Sequence, residues 1–260
     1  MTAAIEAIHL RKTFGPVVAV DNVDITVASG QTVALLGGNG AGKTTTISML
    51  LGLLLPSAGR ITILGYDLAR TRYAVMARMN FSSPYVELPH RLTVAQNLRI
   101  YADLYGVADA AERVAELAER LDLTQFLDRP SGKLSAGQKT RLALAKSLIN
   151  RPEVLLLDEP TASLDPDTGD WVRGYLEQYR AETGASMLIA SHNMSEVERL
   201  CDHVLMMRAG RIVDQDAPAA LLARYGRQTL EDVFLDIARD RRSAAAPAGT
   251  PGSAGERAAQ

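Results

Sequence analysis

Residues Gly37, Gly38, Asn39, Gly40, Ala41, Gly42, Lys43 and Thr44 follow the spacing G-x-x-x-x-G-K-[ST], with Thr45 directly behind them. Glycines at that spacing let successive backbone N–H groups turn inward onto phosphate oxygens, and the start of a following helix adds its dipole. Lys43 is then placed to bridge the β- and γ-phosphates of a nucleotide, and Thr44 to ligate Mg²⁺. The motif carries this meaning only between a strand and a helix. Thr32-Val33-Ala34-Leu35-Leu36 before it is a continuous apolar run, and Lys43 to Leu51 after it contains no helix breaker.

A second chemical pair closes another apolar run, Val154-Leu155-Leu156-Leu157, with Asp158 and Glu159. Alone, two carboxylates at a strand end are as readily solvated residues as functional ones. Beside a phosphate-binding loop, Asp158 is placed as a Mg²⁺ partner and Glu159 as the group that orients and deprotonates an attacking water. Leu134-Ser135-Ala136-Gly137-Gln138 opens a helix, where a serine hydroxyl and free N–H groups form either a plain N-cap or a second anion site. One nucleotide does not need two such sites within one chain. The anion-site reading makes sense if Ser135 faces the γ-phosphate held by another subunit.

These residues need elements to hold them. Ala4–Leu10, Val17–Val20 and the alternating Val23–Val27 read as strands, and Ile61–Leu64 as another. From about 92 to 150 the pattern turns helical. Thr93 with Gln96 has capping-box spacing, Asp109 reads as a further N-cap, and Ser135 with Gln138 repeats the box. Apolar strands then resume at Val154–Leu157, Met187–Ala190 and Val204–Met207, with Asp165-Pro166 opening the helix between the first two. Apolar strands alternating with helices argue for an α/β fold with a mostly parallel sheet covered on both faces. A short amphipathic helix begins at Thr229, and residues 241–260, rich in Ala, Gly, Pro and Ser, read as a disordered tail.

Composition bounds the rest. The 260 residues are 47% hydrophobic and 22% charged, with a net charge of −2, which does not suggest a sequence-independent nucleic-acid binder. The single cysteine, Cys201, excludes an intramolecular disulfide framework and reads as a buried apolar filler in a cytoplasmic protein. No signal peptide is visible and no apolar run approaches the roughly 18 residues that cross a bilayer. Work at a membrane would require another chain to supply the spanning helices.

Residues 4–216 carry these motifs in an order that resembles the ATP-binding subunits of ABC transporters: Walker A at 37–45, a signature at 134–138 and Walker B at 154–159. Behind them come a D-loop-like Ala162-Ser163-Leu164-Asp165 and Ser191-His192, matching the switch histidine. The resemblance implies a P-loop NTPase fold of ABC type over residues 4–240. It has a mostly parallel core sheet, an N-terminal antiparallel β part and an inserted helical subdomain at about 92–150. It implies ATP and Mg²⁺ as cofactors, Glu159 and His192 as catalytic residues, and Phe14 as the aromatic that stacks on adenine. It also implies a homodimer that sandwiches ATP between one subunit's Lys43 and the other's Ser135, Ala136, Gly137 and Gln138, with Asp165 in the D-loop. A separate transmembrane permease completes the assembly at the inner face of the cell membrane.

Three departures stand out. Ala136 replaces the usual first glycine of the signature, which requires a negative φ there. Gly38 replaces a common proline. The family's glutamine between Walker A and the helical subdomain is missing: the segment reads Met79-Asn80-Phe81-Ser82-Ser83-Pro84-Tyr85. Ser82 or Ser83 offers a shorter hydroxyl, and Tyr85, Val86 and Leu88 read either as local packing or as a groove for a permease helix. The segment from Thr229 to Leu235 resembles the end of ABC-2-type export subunits, so export is the favoured direction over binding-protein-dependent import. An ABC ATPase serving a non-membrane complex, such as cofactor assembly, is the alternative from another class, and a regulatory nucleotide binder without turnover is a third.

Overall fold

The computed structural model describes residues 2–84, 86–162 and 164–238. The tail 241–260, Tyr85 and Ser163 lie outside the described residues.

Strands β1 (Ala3–Phe14) and β2 (Val17–Ala28) form a long antiparallel hairpin. The sequence pattern breaks this hairpin into three short runs. The reason is local: His9 and Asn22 adopt positive φ, and the pairing shifts register around Leu10. Each irregularity interrupts the period-two alternation by which a strand is read. β4 (Ala58–Ile63) and the two-residue β5 (Tyr66–Asp67) complete a four-stranded antiparallel sheet in the order β2-β1-β4-β5.

The second sheet holds β3 (Thr32–Leu36), β6 (Met79–Ser82), β7 (Val154–Asp158), β8 (Ser186–Ser191), β9 (His203–Arg208) and β10 (Arg211–Asp216). Its order is β10-β9-β3-β8-β7-β6, parallel except for the antiparallel edge strand β10. β6 and β10 escape a reading by apolar pattern because β6 is short and carries Asn80 and Ser82, while β10 is largely polar.

The sheet is buried on both faces, and its side chains divide strictly by parity. Ala34, Leu36, Leu155, Leu157, Met187 and Ile189 join one apolar cluster, together with side chains from the helices at 94–147. Val33, Leu35, Val154, Leu156, Leu188 and Ala190 join the other, which the antiparallel sheet covers.

Helix α1 (Lys43–Leu50) follows the glycine-rich loop, and α2 (Leu68–Met76) precedes β6. Between β6 and β7 lie α3 (Val94–Leu104), α4 (Ala110–Arg120) and α5 (Ala136–Ser147), with two short 3₁₀ turns. Thr93 and Ser135 each complete a capping box, with Gln96 and Gln138 respectively. Asp109 does not cap α4 with its side chain: its backbone sits at φ −102, ψ 55, outside the extended region that aims an N-cap oxygen at the first turn. Glu112 in that first turn still complements the helix dipole. The chain continues through α6 (Pro166–Thr183), α7 (Met194–Leu200), α8 (Pro218–Tyr225) and α9 (Leu230–Ala238).

The helical stretch is tied to the sheet through a buried polar knot. Lys146 in the last turn of α5 donates to Phe81 O (2.9 Å) and Asn80 Oδ1 (3.3 Å), and its ammonium lies 5.3 Å from the Tyr101 ring centre. Asn80 donates to Asn150 Oδ1 (2.8 Å), and Asn150 to the carbonyl oxygen of Ala77 (2.9 Å). Burial pushes the Lys146 pKa down to about 8. Below that pH folded and unfolded chains are both charged, and the burial penalty is present in full. Between about 8 and the ordinary lysine range the folded chain sheds the proton while the unfolded chain keeps it, so the penalty is relieved as pH rises. Wild type should therefore gain about 1 kcal/mol of stability over Lys146→Met between pH 7 and pH 9. Denaturant titrations at the two pH values check this, and a pH-independent difference refutes it.

Candidate functional site

The loop 37–42 leaves the end of β3 and turns into α1. Gly42 has φ +107, and a Cβ there would lie 2.7 Å from Ala19 O. A Cβ on Gly37 would lie 2.6 Å from Met207 O. The loop is thus wedged between β2 and the end of β9, and only glycine fits at both positions. Gly38 is exposed with nothing near its missing Cβ, so a proline is not needed for packing. A cavity of about 380 Å³ is lined by Gly38, Asn39, Gly40 and Ala41 together with Phe234 and Ile237 of α9.

Lys43 donates to Gly37 O at 2.6 Å, which keeps its ammonium over the loop, and Thr44 and Thr45 begin α1 with Thr44 exposed. Asp158 ends β7 and is buried. Burial first and the charge of Glu159 second push its pKa up, and Lys43 opposes them. A carboxylate in that position is relieved by a cation. Among the described residues no cluster of three or more His, Cys, Asp or Glu side chains could hold a metal. The oxygen donors Thr44 and Asp158 are of the kind that Mg²⁺ takes.

Glu159 is buried and has φ +52, a left-handed backbone that a non-glycine residue holds only where its surroundings impose it. Its amide donates to Ala190 O (2.8 Å), extending the β7–β8 pairing one residue past the strand end. On the neighbouring strand His192 follows Ser191, and its Nδ1 lies 2.7 Å from Glu159 Oε2. β3, β7 and β8 are adjacent parallel strands, with β8 in the middle. Their carboxyl ends therefore bring the glycine-rich loop, Asp158, Glu159 and His192 to one edge of the sheet.

The other residues singled out from sequence lie elsewhere. Ser135 is exposed at the start of α5, where its Oγ accepts from the Gln138 amide (3.3 Å) and its own amide donates to Gln138 Oε1 (3.0 Å). Ala136 is the first helical residue, with no positive φ, and Gly137 packs near Thr168 of α6. Asp165 caps α6, and the Thr168 amide and hydroxyl hold its carboxyl below the usual carboxylate range. Phe14 ends β1 with half its surface exposed and Lys12 Nζ 5.2 Å from its ring centre, so it is not a core residue. Two residues that motif reading misses lie just behind this edge: Thr161, whose hydroxyl donates to Glu196 Oε1 at 2.9 Å, and Glu196 itself, fully buried.

Residues 20–162 match the model of the ABC transporter family. The chain belongs to that family. It is 38% identical over 224 residues to Nod factor export ATP-binding protein I of Cupriavidus metallidurans, covering 85% of this chain and 74% of that protein. It is 34% identical over 243 residues to the probable multidrug ABC transporter ATP-binding protein YbhF of Escherichia coli, covering 91% of this chain and 42% of that protein. A solved ATP-binding subunit of an ABC transporter superposes with a TM-score of 0.83 at 26% identity, over 91% of this chain and all of that one.

This ABC chain is an ATP-binding subunit that hydrolyses ATP to power transport. Its α/β fold, with a mostly parallel sheet beside an antiparallel one, is that of ABC ATPase cassettes. Among the described residues no helix is long and apolar enough to cross a membrane.

Proposed function

We propose that this subunit drives export through a separate membrane-spanning permease, acting as a homodimer at the inner face of the cell membrane and without nucleic acid. The observation that carries the catalytic part is the Glu159–His192 contact of 2.7 Å at one edge of the sheet with the glycine-rich loop. The direction of transport rests on the export and multidrug names of its relatives.

In this reading the amides of residues 37–42 and Lys43 hold the phosphates, with Thr45 behind them. Thr44 and Asp158 would hold Mg²⁺, which when bound would neutralise phosphate charge. Glu159 takes the proton of the attacking water, and His192 holds its Oε2 in place. Ser135, Ala136, Gly137 and Gln138 act on the ATP of the partner subunit, and Asp165 lies at the same interface. Ser82 or Ser83 stands in place of the missing glutamine, and Mg²⁺ there would take a water where the longer side chain would reach.

Phe14 stacks on the base. Base–aromatic stacking contributes roughly 1–3 kcal/mol per base in nucleic-acid complexes. Phe14→Ala should therefore weaken ATP and GTP binding alike, as measured by titration calorimetry. Unchanged affinity in the folded variant removes Phe14 from the site.

The permease side is a groove of about 220 Å³ between Pro84, Val86, Leu88 and His90 on one wall and Lys139 and Ala143 of α5 on the other. Val86 is half exposed at its rim. Val86→Asp should leave the ATPase rate of the isolated subunit unchanged and reduce binding to the co-expressed permease, by analogy with the loss of a buried interface anchor. Full transport by Val86→Asp in permease-containing vesicles places the docking surface elsewhere. An isolated wild-type subunit that never associates with a membrane-spanning partner overturns the transporter assembly itself.

A further inference from the structure

Behind the Glu159–His192 contact lies a carboxyl group with no role in binding phosphate or metal. Glu196 stands in the first turn of α7 with none of its surface exposed. Its Oε1 accepts from Thr161 Oγ1 at 2.9 Å, while its Oε2 is buried without a hydrogen-bond partner among the described residues. The groups around it are few. Burial has the largest influence and raises its pKa. The hydroxyls of Ser191 and Thr161 oppose that, the charge of Glu159 adds to it, and Arg173 of α6 works against it. A buried carboxyl is costly to keep unless the surroundings use it.

Its connections span one break in the fold. β7 and β8 are paired as far as Asp158 and Ala190, and the Glu159 amide to Ala190 O is the last rung. Beyond that rung the two segments lead to different helices, α6 and α7. One passes through Pro160 and Thr161 toward Asp165, and the other through Ser191 and His192 into α7. The contact between Glu159 and His192 bridges the two chains where they part. Thr161 and Glu196 stand on opposite sides of the break, and the hydrogen bond between them crosses it.

We infer that Glu196 is a positioning residue: its buried carboxyl, carried by the helix that follows β8, clamps the loop after β7 through Thr161, and so sets the Glu159–His192 geometry for hydrolysis. It does not touch ATP. The clamp matters because displacing a catalytic group by about 1 Å can cost on the order of a hundredfold in rate. The inference rests on the proposed role of Glu159.

The test measures steady-state ATPase kinetics and melting temperature for Thr161→Val, Thr161→Ser and Glu196→Gln, with Glu159→Gln alongside. Valine has the shape of threonine without the hydroxyl, so it removes the clamp and leaves Glu196 Oε1 without its partner. Thr161→Val should lower kcat by about ten- to a hundredfold, with the ATP KM near wild type and a melting temperature lowered but still above the assay temperature. Thr161→Ser restores the hydroxyl and should restore kcat. Glu196→Gln keeps a carbonyl acceptor for Thr161 and should stay within a few-fold of wild type. Wild-type kcat in Thr161→Val beside an inactive Glu159→Gln overturns the clamp alone. So does a kcat loss that Thr161→Ser does not rescue, or one that appears only at temperatures where Thr161→Val unfolds. Wild-type turnover in Glu159→Gln overturns the assignment of the base, and the clamp with it.

Discussion

Glu159→Gln should lower ATP turnover by about 10²–10⁴-fold, the usual effect of removing a positioned general base. ATP binding should survive, and the variant should accumulate as an ATP-bound dimer. Glutamine fits the same space, and its carbonyl can still accept from His192, whose Nδ1 lies 2.7 Å from Oε2 in the wild type. What it cannot do is take a proton from water. It also removes the negative charge that pushes the Asp158 pKa up, so the metal partner becomes easier to ionise and nucleotide affinity has no reason to fall. Phosphate release gives the rate, and size-exclusion chromatography with and without ATP gives the dimer. Wild-type turnover in a folded Glu159→Gln protein ends the general-base assignment. Rapid turnover with no dimer ends the sandwich as well.

The second large effect concerns who completes whose site. Ser135 is exposed at the start of α5, on the helical side of the chain, and its hydroxyl already accepts from the Gln138 amide. If it acts on the partner's nucleotide, Lys43→Ala and Ser135→Arg homodimers each lose both sites, and each should fall by about 10²–10³-fold, the scale for removing one stabilising donor. A mixed dimer behaves differently. Two-fold symmetry places the altered Lys43 and the altered Ser135 at one interface site and leaves the other intact. Mixed dimers isolated with two affinity tags should therefore hydrolyse ATP far faster than either homodimer. Equal inactivity of all three removes the support for a shared site in which each half works independently.

The legible parts of the chain are those in which chemistry and chain order coincide. The glycine-rich loop, Asp158-Glu159 and Ser191-His192 each stand within a few residues of an apolar strand end, so spacing alone brings them near one sheet edge. The less legible parts depend on residues distant in sequence or on backbone irregularities. Thr161 and Glu196 are 35 positions apart, and a glutamate in the first turn of a helix reads as an ordinary dipole partner until its burial is seen. Asn80, Lys146 and Asn150 form a similar knot from three segments. His9 and Asn22 hide a long hairpin by breaking its alternation, and Asp109 has the residue type of a cap without the backbone for one.

The strict parity of the central sheet gives the molecule two sequence compartments with separate histories open to them. Along β3, residues 34 and 36 answer to the helices, whereas 33 and 35 answer to the antiparallel sheet. A volume change at Leu36 falls on the cluster that also holds Ile189 and Leu157, whereas Leu35 packs in the other cluster. The helical half of a diverged relative could be grafted onto this antiparallel half with the sheet backbone as the seam. The same partition lets one half drift toward new partners while the other keeps its packing around the glycine-rich loop.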